Sequence, residues 1–345
     1  MTMSAIERPK SALARSPRER YLPDDLDSGY VIGAEESMAA ALHRLTTEQF
    51  TVAINALSDP KADVGLATVA TLKSMERISA VLRLVRTSIG DEAYRTELTI
   101  IKDTSDLLGG LMAGQPELRA LDQLRSRFQP LLSVDAFTHL RSQLLNRHQL
   151  LRLQALSEGE ALLRTLHRLR RARARFAAWP IDDRTDARMY GREPVSDSFA
   201  TLTDGLARTY RRGRKHWQHA REGDASRLPK LQREVQNLQH QVQILSASWP
   251  EVLAATSRAC SQLDSVLTEE NGLAALHQAI SAGESAVITT DLERSLLESI
   301  VSSTRAELTA IIEILGARMY VEPTRLFVAR MEAYWSARSY ESAPV

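Results

Sequence analysis

The chain has 345 residues, with 44 lysines and arginines against 43 aspartates and glutamates and a formal net charge of +1. Its single cysteine, Cys260, excludes a disulfide framework and a cysteine-based zinc site and fits a reducing compartment, and no run of about 18 apolar residues predicts a transmembrane helix. Aromatics make up only 5% of the chain, with 15 glycines and 12 prolines, and this scarcity argues for helices and against a β-sandwich or barrel.

Residues 1–28 are polar, basic and proline-containing, lack the apolar core of a signal peptide, and read as a disordered basic tail. Helical periodicity begins near Ala34, where Met38, Ala41, Leu42, Leu45, Phe50 and Ile54 form one apolar stripe that ends at Leu57 to Pro60. A second helix carries Val69, Leu72, Met75, Ile78, Leu82 and Val85 up to Gly90 and Asp91. A third carries Leu98, Ile101, Leu107, Leu108 and Leu111 and breaks near Gly114 to Pro116. One long helix is expected from about Asp135 to Phe176, closed by Trp179 and Pro180, followed by a charged linker from Asp182 to Asp197. Further helices are expected over Ser198–Ala220, Leu228–Ser246, Pro250–Leu267, Asn271–Ser281, Thr290–Met319 and Pro323–Tyr334, with Pro250 and Pro323 suited to first helical positions. No strand pattern is present, so the expected fold class is all-α, built from antiparallel helical hairpins.

The charges are unevenly placed. Between Leu162 and Ala178 stand six arginines (Arg164, Arg168, Arg170, Arg171, Arg173 and Arg175) and no acid. Gly205 to Arg221 is also acid-free and holds Arg208, Arg211, Arg212, Arg214 and Lys215, with His216 and His219. From Glu251 to Glu313 there are ten acids against three arginines. Either these regions pair internally or the protein has two electrically distinct faces. A long helix often carries arginine toward solvent, but a solvated face ordinarily mixes signs for i,i+4 pairing. Arginine forks flanked by Tyr and His donors suit phosphate oxygens.

Catalytic chemistry is not legible. There is no glycine-rich phosphate loop, no His-Glu-x-x-His and no nucleophile elbow. Among eight histidines only His216 and His219 are close in sequence, and they read as surface residues rather than metal ligands. Cys260 reads as a small packing residue, and the four tryptophans as anchors of helix ends and seams. Neither catalytic residues nor a metal or cofactor is expected.

Five stretches together resemble a CHAD domain, the conserved-histidine α-helical domain: LKSMERISAVLRLVR (Leu72–Arg86), GDEAYRTELTIIKD (Gly90–Asp103), GLARTYRRGRK (Gly205–Lys215), LPKLQREVQNLQHQVQILSASWP (Leu228–Pro250) and LGARMYVEPTRLFVARMEAYW (Leu315–Trp335). The resemblance spans about residues 34–338. It implies two internally related, four-helix-bundle-like halves, assigned to 29–185 and 196–338 with a C-terminal tail at 339–345, around a basic central groove. It also implies non-catalytic binding of inorganic polyphosphate or a similar polyanion. The Glu-x-Glu-x-Lys signature of a fused triphosphate-tunnel enzyme is absent, as for a standalone member.

The departures are specific. In the first half the signature His falls on Val69, and basic positions fall on Leu72, Glu76 and Ser79, while a later Leu-Arg-Asp reads Leu111, Met112, Ala113. In the second half the signature His falls on Pro229, basic positions on Gln232 and Gln236, and a distal His-Asp on Asn271 and Gly272. The polyanion-binding residues implied by the resemblance are therefore Lys73, Arg83, Arg86, Arg95 and Lys102 from the first half, and Tyr210, Arg211, Arg212, Arg214, Lys215 and Arg233 from the second. Helical spacing puts Arg83 with Arg86, and Arg211 with Arg214, leaving Arg212 off that line. The alternative is a diverged scaffold that binds a protein partner or a storage-granule surface. Nucleic acid ranks lower because no helix-turn-helix or base-stacking platform is evident. The expected location is cytoplasmic, with no membrane partner.

Overall fold

The computed structural model describes residues 29–33, 36–59, 61–128, 134–157, 160–177, 198–281 and 291–341. The expected tail at 1–28 and the charged linker at 182–197 lie outside them. Among the described residues the chain is all-α, with no strand. In chain order the helices are α1 (Met38–Ser58), α2 (Val64–Leu84), α3 (Arg86–Ile89), α4 (Asp91–Leu111), α5 (Gln115–Phe128), α6 (Val134–Ser157), α7 (Glu160–Ala177), α8 (Ala200–Arg221), α9 (Leu228–Ile244), α10 (Pro250–Ser281), α11 (Asp291–Met319) and α12 (Thr324–Glu341).

Local chemistry sets many of the ends. Ser37 and Asp63 cap α1 and α2 by accepting from the backbone N–H groups of Ala40 and Leu66. Gly90, at φ 83°, turns the chain between α3 and α4, a backbone conformation that disfavours a side chain. Asp91 and Glu92 then occupy the first turn of α4, where the helix dipole favours acids. Pro250 opens α10, and Pro229 lies in the first turn of α9. Pro323 stays just outside α12, its carbonyl accepting from Leu326 and Phe327. That last helix runs to Glu341, into the stretch expected to be tail.

Two hydrophobic clusters explain the course of the chain. The larger gathers α1 to α4, α7, α8, α9, the first half of α10, Ile312 of α11 and α12, joining residues from both halves of the sequence. The smaller gathers α5, α6, the second half of α10 and α11.

These clusters correct two sequence expectations. The single long helix expected over Asp135–Phe176 is two helices, because its apolar residues serve different cores. Phe137, Leu140 and Leu144 of α6 enter the smaller one, whereas Leu169, Ala172 and Phe176 of α7 enter the larger. Conversely, Pro250–Leu267 and Asn271–Ser281 are one continuous helix. Leu263 and Leu267 lie in the larger core and Leu273 and Leu276 in the smaller. The polar run between them is accommodated inside α10. Glu270, 2% exposed, accepts from Arg305 of α11, and Gly272 packs against the Pro116 carbonyl of α5.

Candidate functional site

Some of the positions singled out by the resemblance line two neighbouring clefts. Where α2 and α4 face α9, a cleft of about 320 Å3 is lined by Leu72, Glu76, Ser79, Arg83, Lys102, Arg233 and Gln236, among others. Beyond it, α5, the end of α4, α9 and α10 enclose a larger cavity of about 890 Å3. Met112, Ala113, Gln232, Asn271 and Gly272 line this cavity. All five stand where the resemblance places charged or histidine residues.

The chemistry of both clefts differs from a phosphate groove. In the smaller, Arg83, Lys102 and Arg233 are opposed by Glu76 and Asp106. In the larger, Glu117, Asp264 and Glu269 are opposed by Arg119. Amides replace the expected cations. The Gln232 amide donates to Asp264 Oδ1 at 3.1 Å and Thr268 Oγ1 at 2.7 Å, and Asn271 donates to Gln232 Oε1 at 2.7 Å. Burial, and then the nearby Glu76, hold the Asp264 carboxyl above the usual carboxylate range, against hydrogen bonds from Gln232 and Gln236. The exposed Val69 and Pro229 line neither cavity.

A basic surface lies elsewhere, along α8. Arg208, Arg212, His216 and His219 recur at i, i+4, i+8 and i+11 and so share one face. Arg83 Nη1 donates to Glu234 Oε2 at 3.3 Å, and Arg212 Nε forms an ion pair with Glu234 Oε1 at 3.1 Å. Glu234 is 2% exposed, so one buried carboxylate of α9 ties an arginine from α2 to an arginine from α8. At one end of the stripe Arg208 stands near Asp91, which also accepts from Arg86 at 2.8 Å and lies 3.8 Å from Arg95. At the other, His216 is held below the ordinary imidazole value by burial and by Arg212, Arg227, Lys230 and His219. Arg83, Arg86, Arg95, Arg208, Arg212, Arg227 and Lys230 gather around Asp91, Asp224 and Glu234, and the exposed Asp204 continues the row of Arg208 and Arg212. Arg211 and Lys215 are exposed on the adjoining strip of α8.

Several implied site residues land elsewhere than the sequence places them. Tyr210 is 1% exposed; its hydroxyl donates to the Met319 and Glu322 carbonyls and its ring stacks on Phe327 at 4.1 Å. Burial pushes that hydroxyl up to about 12, and it braces α8 against α12 instead of reaching an anion. Arg214 is half-buried near Tyr210, away from the Arg83 side. The expected pairing of Arg211 with Arg214 toward the first half therefore fails. Arg212 meets Arg83 instead, because the i+4 row through Arg208 and His216 is the one turned toward α2 and α9. Lys73 is half-buried and lines neither cleft, whereas Lys102 and Arg233 share one with Arg83. Glu234 and Lys230 escape sequence reasoning, although an acid inside the apolar row Leu231, Val235, Leu238 of α9 signals a buried partner.

The arginines of α7 are partly structural. Arg175 grips Glu97 of α4 with two bonds, at 2.9 and 3.1 Å, and Glu97 is 5% exposed. Arg170 and Arg173 reach Ser58 and Thr51 of α1. The acidic stretch engages other arginines, through Glu270 with Arg305 and Glu307 with Arg127. Among the described residues no group of three or more His, Cys, Asp or Glu side chains is placed to hold a metal ion. Cys260 is buried and its thiol is pushed up to about 12, which makes it a poor nucleophile. No helix of the described residues is long and apolar enough to cross a membrane.

The CHAD domain family model matches residues 66–281, from α2 to the end of α10. The match takes in both clefts and the α8 stripe and leaves α1, α11 and α12 outside it. No curated protein matches the chain. Since the matched region covers well over half of the sequence and contains the converging helices described above, the chain belongs to the CHAD domain family.

Proposed function

We propose that this protein is a non-enzymatic binder of phosphate-rich polyanions, inorganic polyphosphate first among them, and that it captures them on the α8 stripe rather than in the clefts. CHAD domains are in general associated with polyphosphate. The observation that carries the reading is the row Arg208, Arg212 and His216 on one face of α8, with Arg227 and Lys230 beside His216. Planar guanidinium forks suit phosphate oxygens, and a linear polymer can follow a row of them.

The test is a titration with long-chain polyphosphate at several salt concentrations. The logarithm of the affinity is expected to fall linearly with the logarithm of salt, and each charge reversal at Arg208 or Arg212 to flatten the slope by roughly one or more. Absence of binding at low salt, where screening is weakest, overturns the reading. A second reading, a scaffold for a protein partner or a granule surface, draws on the uncharged cleft positions Met112, Ala113, Gln232, Asn271 and Gly272. It predicts that reversal of Arg211, Arg212 and Arg214 leaves partner capture unchanged.

A further inference from the structure

Helix α11 packs mainly on α10 and sends Leu297, Val301 and Leu308 into the smaller core. On its opposite side Leu292, Leu296 and Ile314 are exposed, with Val321 just past its end, and Leu292 and Val321 are 79% and 71% exposed. At about 100° per residue these four point within roughly 40° of one another. Between them the same side carries the exposed Ser299, Ser303, Ala306 and Ala310. With Ile311 on the flank, the large side chains offer roughly 500 Å2 of apolar surface to solvent, near the upper end for the largest patch of an ordinary monomer. This strip lies outside the family match at 66–281.

We infer that α11 is a dimerisation helix, packing antiparallel against α11 of a second copy of this chain. The sequence of the strip is complementary to itself in that direction. A two-fold axis between Ala306 and Glu307 sets Leu296 against the partner's Ala317, Ser299 against the partner's Ile314 and Leu292 against the partner's Val321. Large side chains thus meet small ones and interdigitate, and at the centre Ser303 meets the partner's Ala310, so the two backbones can approach closely. The same register brings Glu293 within two residues, about 3 Å along the axis, of the partner's Arg318 on one flank, where opposite charges set helix orientation. Glu307, beside the axis, already pairs with Arg127 of α5 at 2.6 Å, so ion pairs rather than bare carboxylates meet there. A parallel pairing would instead set Ser299 on the partner's Ser299 and Glu293 on the partner's Glu293. Along its length of about 44 Å the helix buries on the order of 800 Å2 per copy, the size of a standard interface, and the two-fold closes the assembly at two chains. The strip shares no residue with the α8 row, so this inference stands or falls independently of polyanion capture.

The experiment is light scattering coupled to size-exclusion chromatography of the full chain at micromolar concentration, where a dimer is expected. Leu296→Glu and Ile314→Glu are each expected to raise the concentration at which it dissociates by about a hundredfold or more, because symmetry counts every change twice. Leu150→Glu and Leu163→Glu, at exposed leucines of α6 and α7, are expected to leave it intact, and circular dichroism establishes that each variant is folded. A short bismaleimide is expected to join two copies through Ala306→Cys and not through Ser299→Cys, whose two copies lie about 22 Å apart in the antiparallel register; the native Cys260 is buried. A chain that stays monomeric, a dimer that survives both α11 substitutions or is lost equally in all four variants, or crosslinking through Ser299→Cys in preference to Ala306→Cys overturns the inference.

Discussion

Glu234→Gln is the most informative single change because stability and polyanion binding should move in opposite directions. Glu234 is 2% exposed and sits between Arg83, whose side chain is 13% exposed, and Arg212, at 51%. Removing one partner of a buried ion pair costs about 3–5 kcal/mol. Here the loss is smaller, since glutamine keeps one carbonyl acceptor for Arg83 and solvent screens Arg212. A loss of about 2–3 kcal/mol is expected, which for a chain of this size lowers the Tm by roughly 3–4 °C. The freed charge, however, is added to the stripe, so polyphosphate binding is expected to tighten at low salt and the salt slope to steepen by roughly one. Thermal unfolding by circular dichroism and fluorescence anisotropy across a salt series measure the two effects. An unchanged Tm refutes the claim that this carboxylate ties α2, α8 and α9 together. A flatter slope shows instead that Glu234 aims the arginines, and refutes the charge argument.

Two further substitutions probe the neighbouring architecture. A Cβ at Gly205 would stand 2.4 Å from Leu84 Cα and 2.5 Å from the Arg83 carbonyl oxygen, both backbone atoms. Gly205→Ala must therefore separate α8 from α2, and a loss of about 3 kcal/mol is expected in urea unfolding; near-neutrality would show that the two helices do not cross this closely. His216 is lower in the folded chain than in the unfolded one, so its protonation costs stability that begins to be lost as pH falls through the ordinary imidazole value and is fully lost below the lowered one. A bound polyanion reverses that preference: polyphosphate affinity is expected to rise as pH falls from about 7 to 5, and His216→Asn to flatten the rise. An identical pH profile in the variant would remove His216 from the binding surface.

Most helices were legible because they carry an apolar stripe of helical period, and the stripe survives whatever the helix packs against; α5 was missed behind Gly114 and Pro116, although Leu118, Leu121 and Leu124 carry the same period. Continuity was less legible. Nothing local reveals that Glu270 meets Arg305 or that Gly272 packs on Pro116, so the polar run of α10 reads as a break. The boundary between α6 and α7 depends on two separate cores, a tertiary fact that one long periodic segment conceals. At the candidate site, the convergence of α2, α4 and α9 followed from family resemblance. The functional face of α8 did not, because helical phase alone identifies which residues lie together and not what they face. Tyr210 illustrates the limit: its hydroxyl is taken by carbonyls 109 and 112 residues away.

Net charge needs the same correction for position. Three acids are buried beneath arginines contributed by other helices. Glu234 lies under Arg212, Glu97 under Arg175 and Glu270 under Arg305, and the arginine side chains retain 51%, 39% and 28% exposure against 2%, 6% and 3% for the acids. In each pair the negative charge is withdrawn from solvent while the cation still presents N–H groups outward. A polymer approaching α8 therefore meets a more positive surface than the formal +1 implies. Other acids collect where the cavity turns inward, at Glu117, Asp264 and Glu269. A neutral composition is thus the sum of two surfaces of opposite character, the arginine row of α8 and the acid-lined cavity beside α10.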